Sequence, residues 1–211
     1  MQNENKTNVA NETRMYRFMR FLAKIANVLY RIKYHGIEIF DNLQTPYILI
    51  SNHRSCIDPL VIASCIKKNH VSFLGKKELA SSKIGNHIFS KLYMIPIDRK
   101  NTDLRAMKKA IKLIKSGGIL GIFPEGTRHK SGDMQEAENG VGVIIQMCNV
   151  PVVPIYIDRK FKLFRKTNIY IFEPLDFSEI VNSDADVNKN ELIMEEIKDY
   201  YKKVVKTYQR V

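Results

Sequence analysis

The sequence predicts a single α/β domain, with a largely parallel β-sheet flanked by helices and a basic amphipathic helix at the N-terminal end. Three observations carry that expectation. Short apolar runs rich in Ile, Val and Phe alternate with segments of helical period. Polar constellations directly follow several of those runs, and in open α/β sheets ligands gather at strand carboxyl ends. The chain has 211 residues, 45% apolar and 27% charged, enough for one full core and unlike a disordered polymer.

Taken in order, Met1 to Asn11 is polar with no apolar core of a leader peptide behind it, and residues 1–13 are expected to be disordered. Residues 14–35 form the next unit. From Arg14 to Lys33, Met15, Phe18, Met19, Leu22, Ile25, Ala26 and Leu29 recur at spacings of three and four among Arg14, Arg17, Arg20, Lys24, Arg31 and Lys33. No acid occurs between Thr13 and Gly36. Such a helix suits an anionic membrane surface, and it suits equally a helix packed on its own domain with the cations in water. His35-Gly36 is expected to stop it.

Residues 36–211 hold the remaining elements. Ile37 to Phe40 and Tyr47 to Ile50 are expected as strands, Pro59 to Ile66 as a helix and Val71 to Leu74 as a strand. Ile84 to Leu92 suits a short helix, and Tyr93 to Asp98 is extended because Pro96 biases Ile95 away from helix. Asp103 to Lys115 carries the stripe Leu104, Met107, Ile111 and Ile114, and Gly117-Gly118 ends it. Ile119 to Phe123, Val152 to Ile157 and Ile169 to Phe172 follow as strands, with Gly140 to Cys148 and Glu191 to Gln209 as helices.

Composition narrows the function. A net charge of +12 points to an anionic partner: nucleic acid, an anionic membrane, or a phosphorylated or acidic substrate. Cys56, Cys65 and Cys148 are too few and too scattered for a disulfide framework and form no Cys-x-x-Cys pair of a zinc or thiol-redox site, which favours a reducing, cytoplasmic setting. The five histidines show no close liganding pairs, so no metal is expected. No run approaches the ~18 apolar residues of a spanning helix.

The chemistry concentrates in Ser51-Asn52-His53-Arg54-Ser55-Cys56-Ile57-Asp58-Pro59, after a strand and before a helix. His53 offers a base and Asp58 its orienter, while Asp58 with Pro59 also suits a helix start; the two roles are compatible. Phe123-Pro124-Glu125-Gly126-Thr127-Arg128 and Ile97-Asp98-Arg99 each put an arginine after an extended run. An arginine fork suits phosphate, whereas Pro-Glu-Gly is also ordinary turn chemistry. Cys56 or Ser55 could serve as a nucleophile beside His53 in a hydrolase, but no Gly-x-Ser-x-Gly elbow is present. A basic nucleic-acid or membrane-binding module would explain the charge and leave both motifs unused.

Together with Val150-Pro151-Val152-Val153-Pro154, these stretches occur in the order of the four motifs of the glycerolipid acyltransferase family, which the chain resembles over roughly residues 30 to 160. Bacterial members of that family include lysophosphatidic acid acyltransferases. The resemblance implies His53 as general base and Asp58 as its partner. It implies an acceptor-phosphate site shaped by Arg99, Glu125, Gly126, Thr127 and Arg128, with Lys76 a further contact, Lys77 its fallback, and Pro154 near the acyl chain. Asn139 stands before Gly140 where members often carry a lysine. The implied reaction moves a fatty acyl group from acyl-carrier protein or acyl-coenzyme A to the hydroxyl of lysophosphatidic acid, with glycerol 3-phosphate or another lysophospholipid as the alternative acceptor. It needs no cofactor and no nucleic-acid partner. It places residues 36–211 as the acyltransferase domain, held peripherally on the cytoplasmic face of the cell membrane.

Overall fold

A computed structural model of the chain describes residues 13–67, 69–98, 103–126 and 140–209. Among these residues seven strands form one sheet: β1 (Ile32–His35), β2 (Tyr47–Ser51), β3 (Val71–Lys76), β4 (Ile95–Ile97), β5 (Ile119–Ile122), β6 (Val152–Ile157) and β7 (Thr167–Ile171). Their spatial order is β1-β7-β6-β2-β5-β3-β4. Every adjacent pair is parallel except β6 and β7, which run antiparallel. The crossover helices parallel strands require are α3 (Asp58–Cys65), α4 (Lys83–Lys91), α5 (Leu104–Lys115) and α6 (Gly140–Cys148), with α1 (Arg14–Leu29), α2 (Ile39–Asn42), α7 (Ser178–Asn182) and α8 (Lys189–Tyr208) completing the layers.

All five residues of β2 are buried, as expected of a central strand covered on both faces. Their period of two divides the core. Tyr47 and Leu49 pack with Val61, Ile62 and Phe73, while Ile48 and Ile50 pack with Ile114, Ile144, Ile197 and Tyr201. Tyr201, from the closing helix α8, donates its hydroxyl to Ile50 O at 2.6 Å and accepts from Ile155 N at 3.1 Å, pinning that helix to β2 and β6.

Four local expectations need correction. Helix α1 ends at Leu29 rather than Lys33, because the backbone turns left-handed at Arg31 (φ 46°) and Ile32 enters β1 beside β7. Gly36 therefore closes a strand, at φ 79°. Ile37 to Phe40 is not a strand; the chain coils into α2 there and buries Phe40. In α5 the contact face lies on Ala106, Ala110 and Ile114, and Leu104 is left 61% exposed. Small side chains there let the helix lie close to the sheet. Of residues 1–13, expected to be disordered, 1–12 lie outside the described residues, whereas Thr13 is held in place as the N-cap of α1.

Helix α1 packs and presents at once. Thr13 caps it, accepting from Tyr16 N at 3.1 Å and donating to Lys91 O at 2.6 Å. Its inward side carries the buried Tyr16 and Ala23, and Tyr34 ties Asn27 (2.8 Å) to the α3 residue Ser64 (3.3 Å). Outward point Phe18, Phe21, Ile25 and Val28, between 42% and 76% exposed, spaced by three, four and three. Leu22 and Ala26, expected on the same apolar stripe as Phe18 and Ile25, are only partly buried.

Candidate active site

Parallel pairing places the carboxyl ends of β2, β5, β3 and β4 in a row along one edge of the sheet. The residues that leave those ends are His53, Phe123 to Gly126, Lys76 and Asp98. This alignment makes one site of motifs far apart in the chain.

His53 leaves β2 on a short loop that ends where Asp58 and Pro59 start α3. The Asp58 carboxylate is wholly buried and the His53 ring 12% exposed. Asp58 Oδ2 lies 2.7 Å from His53 Nδ1 and also accepts the amides of Arg54 (2.7 Å) and Ser55 (2.8 Å). A carboxylate held by two amides cannot swing away, so the imidazole it bonds is fixed as well. With Nδ1–H donated to Asp58, the lone pair of the neutral ring sits on Nε2. One carboxylate thus fastens the loop and orients the His53 ring, but it does not cap the helix: Ile57 is the N-cap, without a side-chain cap bond, and Asp58 is the first residue of α3.

One face of the ring meets Phe123, stacked at 4.4 Å between centroids, and Phe123 stacks on Phe73 at 5.7 Å. Phe73 pairs in register with Gly121, where any Cβ would strike its ring. A glycine inside a buried strand signals such a close approach, and this was the one sequence sign of the ring series.

Glu125 is 5% exposed, and its Oε2 accepts the His53 amide at 3.3 Å. Gly126 follows at φ 63°, a conformation that favours glycine. Beneath the loop, Asn52 accepts from Ile157 N (2.8 Å) and donates to Ile157 O (3.0 Å), fixing the loop to β6. Burial pushes the Tyr156 phenol up, the nearby Arg54 guanidinium pulls it down, and Asp158 and Glu125 push it up again. Arg54, Glu125, Tyr156 and Asp158 are all buried. The sequence analysis names Asn52, Arg54 and Phe123 within its motifs without giving them a role, and Tyr156 not at all; Asn52 and Arg54, which flank His53 directly, were the findable pair.

Of the predicted site residues, the structure brings His53, Asp58, Glu125 and Gly126 together. Lys76 is exposed at the end of β3, and Lys77 pairs with Asp98 at 2.5 Å, the Asp98 hydrogen bond holding its amine above the ordinary lysine range. Asp103, held low by the amides of Ala106 and Asp98, spans back to residue 98. Arg99, Thr127, Arg128 and Asn139 lie outside the described residues. Among the described residues no group of three or more His, Cys, Asp and Glu could hold a metal ion.

Beside the loop, a largely apolar cavity of about 140 Å³ opens between α1 and α3, lined by Tyr16, Met19, Cys56, Leu60, Phe73 and Met94 among others. Phe73 is thus both a cavity wall and the outer ring of the series that ends on His53.

Comparison with known proteins gives the family of the chain. Over 197 residues the chain is 26% identical to the 1-acyl-sn-glycerol-3-phosphate acyltransferase of Bacillus subtilis (strain 168), covering 88% of this chain and 98% of that protein. It is 28% identical over 188 residues to the enzyme of the same name from Streptococcus pneumoniae (strain ATCC BAA-255 / R6), covering 84% and 69%. The crystal structure of the 1-acyl-sn-glycerophosphate (LPA) acyltransferase from Thermotoga maritima shares the fold, with a TM-score of 0.65 at 21% identity over 90% of this chain and 80% of that one. The family model described as Acyltransferase matches residues 31–158, which carry His53, Asp58 and the loop after β5, and the chain belongs to that family of acyltransferase enzymes.

Proposed function

We propose that this enzyme transfers a fatty acyl group from an acyl thioester to the free hydroxyl of lysophosphatidic acid, forming phosphatidic acid for phospholipid biosynthesis. The observation that carries the reading is the 2.7 Å bond between His53 Nδ1 and Asp58 Oδ2. It leaves Nε2 as the atom that takes the hydroxyl proton. The alkoxide oxygen then attacks the thioester carbonyl. Collapse of the tetrahedral intermediate breaks the C–S bond, and the departing thiolate recovers the proton from the imidazolium. Asp58 stabilises that imidazolium, and Glu125 holds the loop that carries it.

The names of the relatives support lysophosphatidic acid as acceptor, and the acceptor phosphate is assigned to Arg99, Arg128 and Lys76, with Gly126 and Thr127 shaping the turn between. The amides of His53, Arg54 and Ser55 are already taken by Glu125 and Asp58, so oxyanion stabilisation falls to other donors. The cavity behind Phe73 suits the acyl chain in chemistry and position.

No helix among the described residues is long and apolar enough to cross a membrane. The exposed stripe Phe18, Phe21, Ile25 and Val28, with Arg14, Arg17 and Lys24 also exposed on α1, favours peripheral binding to anionic lipid at the cytoplasmic face of the cell membrane.

An acyl-transfer assay tests the reading, with acyl-carrier protein and coenzyme A thioesters each offered to lysophosphatidic acid and glycerol 3-phosphate. Phosphatidic acid formation from at least one donor, with glycerol 3-phosphate the poorer acceptor, is expected. No transfer to lysophosphatidic acid from either donor would overturn it.

A further inference from the structure

The hairpin between β6 and β7 has chemistry that the reaction does not use. Residues 158–166 read Asp158-Arg159-Lys160-Phe161-Lys162-Leu163-Phe164-Arg165-Lys166. Leu163 is 58% exposed and Phe164 71%, and Lys160, Lys162, Arg165 and Lys166 around them are exposed too. The acid of the stretch, Asp158, is buried and bonded to Asn168, so the tip presents cations alone around two apolar side chains.

The tip is built into the fold. Phe164 N–H donates to Leu29 O at 2.8 Å, satisfying a carbonyl in the last turn of α1. Phe161 is buried against Tyr30, with ring centroids 5.6 Å apart. Phe164 itself adopts φ 60°, a conformation that a bulky side chain resists, with its ring turned to solvent. A strained backbone holding an aromatic ring outward is not explained by packing.

Position supplies the rest. Strand β6 runs parallel to β2, so the hairpin emerges at the edge of the sheet from which His53 also projects. Its bond to Leu29 makes it continuous with the end of α1 that carries the exposed Ile25 and Val28. We propose that the Leu163-Phe164 tip is a second bilayer-inserting element, which with the outer face of α1 seats the active edge of the sheet on an anionic membrane. The inference rests on the peripheral reading above and adds to it a named site of insertion. Leu163 and Phe164 enter the acyl boundary, and the four exposed cations meet lipid phosphates. A nucleic acid would match the cations but leave the apolar pair without a role.

The chain has no tryptophan, so single reporters are free of background. Phe164→Trp and Phe18→Trp variants are mixed with vesicles of phosphatidylcholine containing phosphatidylglycerol, with and without brominated acyl chains. Insertion predicts a blue-shifted emission and bromine quenching for both. Leu163→Ser/Phe164→Ser should weaken vesicle binding by roughly tenfold or more, the change that about 1.4 kcal/mol produces. If wild type binds and Phe18→Trp is quenched while Phe164→Trp is not, the tip is not inserted and the peripheral reading survives without it. If wild type does not bind these vesicles, both fail. Loss of self-association in the double serine variant, with vesicle binding unchanged, would make the tip an interface between copies and overturn insertion.

Discussion

Glu125 accepts the backbone N–H of His53 through Oε2 at 3.3 Å, so the loop after β5 holds the loop after β2 in place. A buried carboxylate bonded to a backbone amide is poorly suited to meeting an acceptor phosphate, which it would repel. Its role in this account is positioning. Glu125→Gln keeps an oxygen acceptor and should retain most turnover. Glu125→Ala should lower kcat by on the order of a hundredfold, the usual result of misplacing a reacting group by about an ångström, with acceptor KM little changed. Steady-state kinetics with each substrate varied in turn separate these effects.

The ring series behind the base gives a prediction about stability as well as rate. Gly121→Ala drives a methyl group into the Phe73 ring, which stacks on Phe123 and through it on His53. Overpacking of this kind costs about 1–3 kcal/mol, readable as a lower urea midpoint at unchanged slope. Turnover of the folded fraction should fall as well. Phe73→Leu in the Gly121→Ala background should recover much of the stability and less of the rate.

Thiol chemistry separates the proposed mechanism from an acyl-enzyme one. Burial pushes the Cys65 thiol up to about 12, so near neutral pH it holds almost no thiolate, whereas Cys56 is exposed. N-ethylmaleimide should label Cys56 readily and Cys65 only on unfolding. Burial also raises Cys148, above the thiol's ordinary range. Raising pH toward 9 should leave Cys65 unlabelled in the folded protein. Cys56→Ala should keep near-wild-type turnover; a folded but inactive Cys56→Ala would make the thiol the nucleophile.

The acceptor assignment turns on guanidinium geometry. Arg128→Lys preserves charge but loses the planar fork that bonds phosphate in two places. Its kcat/KM for lysophosphatidic acid should drop at least tenfold, about 1.4 kcal/mol, with donor KM unchanged. Arg128→Ala should be worse, and Arg99→Ala similar.

Much of this organisation was legible in the sequence because it rests on local signals. The apolar runs of β2 and β5, Asp58-Pro59 at a helix start and Asp103 capping α5 are each specified within a few residues. The joint between α1 and β1 was misread because a non-glycine left-handed residue, Arg31, ends the helix where no local rule expects a break. The pairing of His53 with Asp58 was legible in the sequence, and the contacts that support it were not. Glu125 to His53 spans 72 positions, Asn52 to Ile157 105, and Tyr201 to Ile50 151, contacts fixed by sheet order rather than by neighbouring sequence. The stripe on α1 was visible as amphipathic, but which residues face the domain depended on where Tyr16 and Ala23 meet α3 and β3.

The general base is the centre of the account, and one comparison tests it most directly. Purified wild type, His53→Ala and Asp58→Asn are assayed for acyl transfer to lysophosphatidic acid, with melting temperature and vesicle binding measured on the same preparations. His53→Ala should keep both properties and lose at least about a thousandfold in kcat. Asp58→Asn should also lose rate steeply, by up to about 10⁴-fold, the effect of the equivalent tautomer error in Ser-His-Asp enzymes. A correctly folded His53→Ala within tenfold of wild type would contradict the assignment of His53 as the base.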